Sequence, residues 1–263
     1  MRQIVKETKT LRGIDVSTFQ GYPDWKKVKA DGIEFAVIKT TQGKSESNPS
    51  LYKFTDSKFV HNITNAHIVG IECSVYHYLT ATDTAGATDE AEYFASVIAP
   101  YKNYIDGYVA VDVESKYLPT NKATLTAIVN TFCNVMIKYG YKPIVYTNPN
   151  FLINRLNDIS KWDLWLALWR DRNNVPSTAQ YPKMKMWQWG YDKVSGIDGN
   201  VDADIAFKEV TKIIDVPDPE PEPEPTIEEI KAEVIKKYGL DKDEQAYIDY
   251  FKGAEALWKK LNK

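Results

Sequence analysis

Cysteine is nearly absent from this chain, since only Cys73 and Cys133 occur among its 263 residues. Both lie in apolar runs and no CxxC spacing is present, which excludes the usual zinc and thioredoxin-type sites and predicts two reduced thiols in the core. Long apolar runs are also missing. No uncharged apolar stretch approaches the roughly 18 residues that a membrane-spanning helix needs, so we expect no membrane insertion.

An excess of positive charge is lacking as well. The net charge is −3 and the pI is about 5.7, which disfavours a nucleic-acid binder that neutralises phosphates. Neither a GxGxxG motif nor a Walker loop occurs, so nucleotide binding has no support. The polar first ten residues, MRQIVKETKT, lack the apolar centre of a secretion signal, and we expect no signal peptide.

Aromatic residues are abundant, with 7 Trp and 17 Tyr, which suits a sugar-binding cleft as well as a large core. The composition changes at residues 215–225, which read DVPDPEPEPEP. Alternating Pro and Glu favours an extended polyproline II linker. We therefore expect a main domain over 1–214, a linker over 215–225 and a small C-terminal domain over 226–263.

The segment 226–263 carries two amphipathic patterns separated by Gly239, which predicts two short helices. About 38 residues are too few for high stability alone, so the apolar faces need a partner. That partner is a cell-wall surface, the main domain or a second copy of the chain, the last of which would make a homodimer. A helical hairpin packed only on itself is the simplest alternative.

Strand-like apolar runs recur through the main domain. They cover 13–17, 35–40, 70–79, 108–114, 142–148, 164–169, 185–189 and 201–207. Helix-like patterns separate the first of these runs, at 24–31, 49–65, 88–99 and 121–139, with a short one at 149–156. Five strand–helix units followed by three strands favour a closed α/β barrel with a degenerate last third. An open doubly wound sheet is the alternative.

The segment YVAVDVES contains the clearest candidate for chemistry. Side chains alternate along a strand, so Val109, Val111 and Val113 would face the covering helices, while Asp112 and Glu114 would face the barrel interior. Barrel enzymes place catalytic groups at the carboxyl ends of their strands. The alternative is a strand that ends early and leaves Glu114 in solvent.

Two further carboxylates extend this cluster. Asp15 lies late in the first strand and Asp202 lies near the start of the last, and these strands are neighbours in a closed barrel. No histidine or cysteine of metal-ligand spacing accompanies the acids. Carboxylates alone can bind Mg²⁺ or Ca²⁺, but paired acids beside aromatic residues favour glycoside hydrolysis, for which we expect no metal or other cofactor.

Several motifs resemble those of glycoside hydrolase family 25, the Chalaropsis-type lysozymes that include phage endolysins. The motifs occur in the family's order over about residues 11–207; they are RGIDVSTFQGYPDW, VYHYL, AVDVES, LWLALW and MWQWGYDKVSGIDGNVDAD. The resemblance implies an irregular TIM-like barrel of five β/α units and three strands. It also implies an N-acetylmuramidase that cuts the β-1,4 bond from N-acetylmuramic acid to N-acetylglucosamine in peptidoglycan.

The resemblance also implies roles for individual residues. Glu114 matches the general acid, Asp112 the second carboxylate of the pair, and Asp15 and Asp202 the supporting acids. Positions expected to contact sugar are Lys39, Tyr76, Tyr146, Trp169 and Gln188. The family often has Glu-Gly where this chain has Gln42-Gly43, and Tyr-His-Phe where it has Tyr-His-Tyr.

As the general acid, Glu114 must be protonated near neutral pH, and its carboxylate neighbours favour that state, while Asp112 is expected to stay ionised. Asp112 is either a nucleophile or an orienting group for substrate-assisted attack. A phage endolysin would wait in the host cytoplasm and then act on a Gram-positive wall. The alternatives are a non-catalytic wall-binding barrel, a chitinase-type glycosidase and an oligomerising adaptor that works through its tail.

Overall fold

The computed structural model describes residues 2–48 and 50–215 and the isolated positions 226, 229, 232, 236, 252 and 253, with side chains for 7–48, 50–210 and the isolated positions. Residues Lys6–Lys212 form one compact unit, and Met1–Val5 with Ile213–Lys263 form another. The predicted linker beyond Asp215 and nearly all of the predicted tail helices lie outside the described residues.

Strands and helices alternate through the compact unit. The described strands are β1 (Arg2–Val16), β2 (Phe35–Lys44), β3 (Tyr52–Thr55), β4 (Glu72–Tyr78), β5 (Val109–Asp112), β6 (Pro143–Thr147), β7 (Asp163–Ala167), β8 (Met184–Asp192) and β9 (Val201–Asp215). The described helices are α1 (Trp25–Ala30), α2 (Phe59–Ile68), α3 (Thr84–Ile98), α4 (Lys122–Lys138) and α5 (Pro149–Asn154). Short 3₁₀ turns cover Thr18–Gln20 and Ala99–Tyr104.

Eight of these strands close into a barrel, in the order β1, β9, β8, β7, β6, β5, β4, β2, with β2 pairing back to β1. Pairings from β1 through β2, β4, β5, β6 and β7 to β8 are parallel, whereas β9 is antiparallel to β8. The predicted α/β barrel with five β/α units and a strand-rich last third is confirmed, and the open-sheet alternative is wrong.

The predicted helix over 49–65 is partly wrong. Residues 52–55 form β3, which pairs antiparallel with the end of β2 outside the barrel, and α2 begins only at Phe59. The apolar residues that suggested the helix do not share a buried face, because Leu51 is exposed and Phe54 half-buried whereas Phe59 is buried. Backbone pairing with β2 decides this segment instead of a helical period.

Helix α3 begins four residues before its predicted start, because the Asp83 carboxylate accepts a hydrogen bond from the Gly86 amide at 2.7 Å and caps it. Helix α4 agrees closely with its prediction. The Asn121 side chain caps its first turn through the Thr124 amide at 3.0 Å, and Gly140 follows its end with a φ of 77°.

The core has two layers, as strand alternation predicts. Val109, Val111 and Val113 pack with residues of the surrounding helices, whereas Ala110 packs inside the barrel with Trp165 and its neighbours. Cys73 and Cys133 are free and buried, which confirms the expectation of reduced core thiols. In the part of the chain that the structure describes, no helix is both long and apolar enough to cross a bilayer.

Candidate active site

The four predicted acids meet at the carboxyl end of the barrel. Asp112 ends β5, and Glu114 follows two residues later, so the strand is shorter than the predicted 108–114. The inward alternation nevertheless continues, because the Val113 amide donates to the Tyr146 carbonyl at 2.9 Å and the Val113 side chain is fully buried. Although the strand ends at Asp112, Glu114 lies at the mouth of the same cleft, where its side chain is exposed.

The antiparallel direction of β9 brings Asp202 to this end. Every barrel strand from β1 to β8 runs the same way, so only a reversed β9 places its first residues beside the others' carboxyl ends. Asp15 lies on the neighbouring β1, and the charge of Asp202 raises its pKa. The seam between the first and last strands therefore holds two carboxyls close together.

Burial is the main influence on the pKa values of these acids. It raises the pKa of Asp15 to about 7, with the charge of Asp202 adding to the effect and a hydrogen bond from Gln188 opposing it. Glu114 keeps exposed surface at the mouth, but partial desolvation by the cleft walls and then the charge of Asp202 raise its pKa, and the Lys39 ammonium opposes this shift. Burial also raises the pKa of Asp202. The pKa values of all three carboxyls are thus raised.

Burial opposes the expected ionisation of Asp112. Its carboxyl is 5% exposed, and burial followed by the charge of Glu114 raises its pKa well above the usual value, with Lys39 opposing. The charges of Asp112 and Glu114 therefore influence each other. Among the described side chains, the buried Asp112 Oδ1 has no hydrogen-bond partner.

Gln188 organises the floor of the site. Its Nε2 donates to Asp15 Oδ2 at 2.8 Å, and its Oε1 accepts from Tyr146 Oη at 3.1 Å and from Trp169 Nε1 at 2.9 Å. Gln188 and Tyr146 are only 4% and 8% exposed. Gln188 therefore holds Asp15 and Trp169 directly and Tyr146 holds Gln188, so these two predicted sugar contacts have little surface left for a ligand.

Lys39 lies on the opposite wall, in β2. Its Nζ donates to Gln42 Oε1 at 2.8 Å and lies 5.2 Å from the Tyr78 ring and 6.0 Å from the Tyr76 ring. Burial lowers the pKa of Lys39, and the charge of Asp112 opposes that shift most strongly. This side chain is the cation that balances the acids.

An exposed pair of aromatic rings marks the rim. Trp169 is 57% exposed and Tyr191 is 55% exposed, with ring centroids 5.9 Å apart in an edge-to-face arrangement. Such rings offer flat apolar surface with a polar edge, which suits stacking against a sugar. Tyr191 was not predicted as a sugar contact, although it lies within the motif MWQWGYDKVSGIDGNVDAD.

Sequence reasoning also missed Asp204. It lies two residues after Asp202 in β9 and is fully buried, and Trp165 Nε1 donates to its Oδ1 at 2.8 Å. Burial and the charge of Asp15 raise its pKa well above the usual value. Side chains alternate along VDAD, so Asp202 and Asp204 fall on the same face, just as Asp112 and Glu114 do in DVE.

Glu46 was missed as well, and it lies on the loop after β2. Its Oε1 accepts from Tyr78 Oη at 2.8 Å and from Ser115 Oγ at 3.2 Å. No periodic pattern marks this residue, because it is brought to the site by the path of a loop.

Among the described residues, no cluster of three or more acids, cysteines or histidines is arranged to hold a metal ion.

A cluster of acids with perturbed pKa values, lined by aromatic rings at the carboxyl end of an α/β barrel, defines the class of barrel glycoside hydrolases. Residues 14–197 match the family described as glycosyl hydrolases family 25. The match spans more than half of the sequence, so this chain belongs to glycosyl hydrolases family 25.

Relatives of the chain include proteins named as a lysozyme, an endolysin and an autolysin. An autolytic lysozyme of Clostridium acetobutylicum is 32% identical over 196 residues, which cover 74% of this chain and 55% of that protein. The structure of the CTP1L endolysin is 26% identical with a TM-score of 0.62, covering 74% of this chain and 65% of that one.

The modular autolysin LytC from Streptococcus pneumoniae, solved with a synthetic peptidoglycan ligand, is a third relative. It is 25% identical with a TM-score of 0.64, and the match covers 76% of this chain and 47% of that one. This chain therefore spans about half to two thirds of the length of these relatives.

Proposed function

We propose that this protein is a lysozyme, an N-acetylmuramidase that hydrolyses the β-1,4 bond between N-acetylmuramic acid and N-acetylglucosamine in peptidoglycan. The observation that carries the proposal is the Asp112–Glu114 pair, with one carboxyl buried and the other open to the cleft. Paired carboxyls of unequal environment are the machinery of glycoside hydrolysis. The lysozyme and autolysin names of the relatives support the same substrate class.

In this proposal Glu114 is the general acid. Its raised pKa favours the protonated form that a proton donor needs, and its place at the mouth lets it reach the glycosidic oxygen. As the bond breaks, the proton passes from Glu114 to the departing sugar hydroxyl, and positive charge develops on the remaining sugar ring. The surrounding carboxylates stabilise that charge.

Asp112 also takes part in cleavage of the glycosidic bond. Its Oδ1 has no hydrogen-bond partner among the described residues, so in this proposal it attacks the anomeric carbon or holds the N–H of the substrate's acetamido group while the acetamido oxygen attacks. A water molecule that gives its proton to the deprotonated Glu114 then displaces the attacking group and completes the hydrolysis. Lys39 favours the ionised form that either role needs. The side of the cleft opposite Lys39 is formed by Asp15, Asp202 and Gln188.

Product analysis tests this function. Purified peptidoglycan is digested with the full chain, the new ends are reduced with borohydride, and the products are identified by mass spectrometry. We expect reduced muramic acid at the new ends. Reduced glucosamine would place the cut at the other bond and contradict the muramidase assignment.

The same digest separates the alternatives. Cleavage of chitin oligomers at a comparable rate would favour a chitinase-type glycosidase. Binding to the wall without new reducing ends would favour a non-catalytic wall-binding barrel. The intact set of Asp15, Asp112, Glu114 and Asp202 argues against that last function, because a binding module has no use for a proton donor.

We also propose a role in lysis of a Gram-positive host from its cytoplasm, which the endolysin among the relatives supports. The segment 226–263 is proposed as a small domain for wall binding or dimerisation. Thr226 and Glu229 bond to each other reciprocally, with the Glu229 amide donating to Thr226 Oγ1 at 3.3 Å and the Thr226 amide donating to Glu229 Oε2 at 2.8 Å. This capping box is how a helix begins.

A further inference from the structure

Glu46 connects three parts of the cleft wall through one carboxylate oxygen. Its Oε1 accepts from Tyr78 Oη at the end of β4 and from Ser115 Oγ after β5. Its other oxygen lies 3.8 Å from the Lys116 ammonium. The loop after β2, the end of β4 and the β5–α4 loop are therefore joined at this side chain.

Ser115 makes this contact relevant to the chemistry, because it directly follows Glu114. It is fully buried, its Oγ also accepts from the Tyr117 amide at 3.2 Å, and its carbonyl accepts from the Leu118 amide at 3.2 Å. A residue held by these bonds fixes the backbone from which the Glu114 side chain extends. Removing the Glu46 carboxylate would release one side of that anchor.

The Glu46 side chain also carries a negative charge near neutral pH. Partial burial opposes ionisation, but the hydrogen bonds from Tyr78 and Ser115 and the charge of Lys116 hold the pKa of Glu46 below its usual range. The carboxylate is therefore an anion across the neutral range. This anion disfavours a second negative charge on Glu114 and adds to the raised pKa there.

Other charged or titratable groups around Glu114 come from several strands. They are Lys39 from β2, Tyr76 from β4, Asp112 from β5, Tyr146 from β6, Asp202 from β9 and Asp15 from β1. Lys39 is the cation of this set, and its charge opposes that of Glu46 at Glu114. Glu46 differs from the other acids by lying on a loop, with a side chain that is 38% exposed.

We propose that Glu46 is a positioning residue that anchors the Glu114 segment through Ser115 and places a permanent negative charge beside that acid. The proposal rests on the glycoside hydrolase function above, in which Glu114 donates the proton. Glu46 bonds to Ser115 and Tyr78, so it acts on Glu114 through Ser115 and through its own charge.

The test compares Glu46→Gln, Ser115→Ala and a matched charge control, Glu92→Gln, whose side chain is exposed on the outer surface of α3. Glu46→Gln keeps an oxygen acceptor but removes the charge. We expect the pKa of Glu114 to fall by about 0.3–1 unit and the alkaline limb of the kcat/KM profile to move down equally, with KM nearly unchanged. Ser115→Ala should lower kcat several-fold without moving the limb.

The Glu114 titration is read directly by ¹³C NMR of labelled glutamate carboxyls in the full chain, with Glu114→Gln supplying the assignment. This measurement needs no substrate. A pKa that stays within about 0.1 unit in Glu46→Gln, while Ser115→Ala leaves kcat intact, would overturn the proposal. A shifted pKa with no hydrolysis by the native chain would instead contradict the lysozyme function and still support the placement of Glu46 beside Glu114.

Discussion

The Asp15 carboxyl is held in the folded protein at a cost in stability. Burial and the charge of Asp202 outweigh the hydrogen bond from Gln188, and the pKa rises from 3.8 to about 7. An unfolded chain ionises this group near pH 4, so the folded state binds an additional proton between about pH 4 and pH 7. The free energy of unfolding therefore falls as pH rises through that interval.

Asp15→Asn should be more stable than the native chain at pH 8, because the amide needs no ionisation and its oxygen can still accept from Gln188. We expect a gain of about 1–3 kcal/mol in unfolding free energy at pH 8, and convergence of the two proteins near pH 4. Calorimetry at both pH values measures this. An equal or lower melting temperature for Asp15→Asn at pH 8 would show that ionising the buried Asp15 carboxyl does not cost stability.

Glu114→Gln should lower turnover of peptidoglycan by at least about 100-fold, since a general acid contributes roughly 10²–10⁴ to the rate. Binding to walls should persist, because the amide has nearly the same shape. Release of reducing ends and pelleting with walls are measured in parallel, with Glu92→Gln as the charge-matched control. Retention of more than about a tenth of native turnover would exclude Glu114 as the acid.

At the scale of elements, α4 holds the barrel wall behind the site. The Phe132 ring of α4 stacks on the ring of His77 at 5.2 Å and lies 6.0 Å from the ring of Phe94 on α3. His77 lies between Tyr76 and Tyr78 in β4, and its Nε2 is 2.8 Å from Glu90 Oε2 of α3. Packing outside the barrel thus supports the strand that lines the cleft.

Phe132→Ala should destabilise the protein by about 3–5 kcal/mol, because a fully buried ring is removed and its cavity cannot collapse completely. The control is Ile137→Ala in the same helix, where the side chain is 51% exposed and the expected change is within about 0.5 kcal/mol. Urea unfolding followed by circular dichroism compares the two. Equal losses would mean that α4 does not pack as described.

The pattern of apolar residues along the chain predicts a helix or strand well where one face of it is buried. It predicts a strand poorly where the pairing strand is distant in the sequence. The stripe of α4 and its Asn121 cap are visible in the sequence, and the helix was predicted within one residue at each end. The segment 52–55 pairs with β2, and nothing nearby in the sequence indicates that pairing. Its apolar residues suggested a helix because they were considered without that partner.

At the scale of the molecule, the compact unit of Lys6–Lys212 contains all the residues assigned to the site. A chain cut after residue 214 should therefore fold and cleave short soluble peptidoglycan fragments at a rate within about twofold of the full chain. On intact walls we expect it to be slower, because the segment 226–263 is proposed to bind the wall or a second copy.

Sedimentation of both chains distinguishes these two roles of the tail. A dimeric full chain and a monomeric shortened chain would support dimerisation, and two monomers with unequal wall binding would support a wall-binding domain. Identical sedimentation together with identical wall binding would contradict both roles.

The sequence by itself determined the order of the barrel strands and their main helices, the two-faced strand at Asp112, the neighbouring places of Asp15 and Asp202 and the family, because these depend on periods of two and 3.6 residues and on contiguous motifs. Tertiary structure alone decided the antiparallel direction of β9 and the pairing of β3 with β2. It also decided the raised pKa values of the cleft acids and the contribution of Glu46. Burial and Coulomb energy depend on distances between residues far apart in the chain, and only the folded barrel sets those distances.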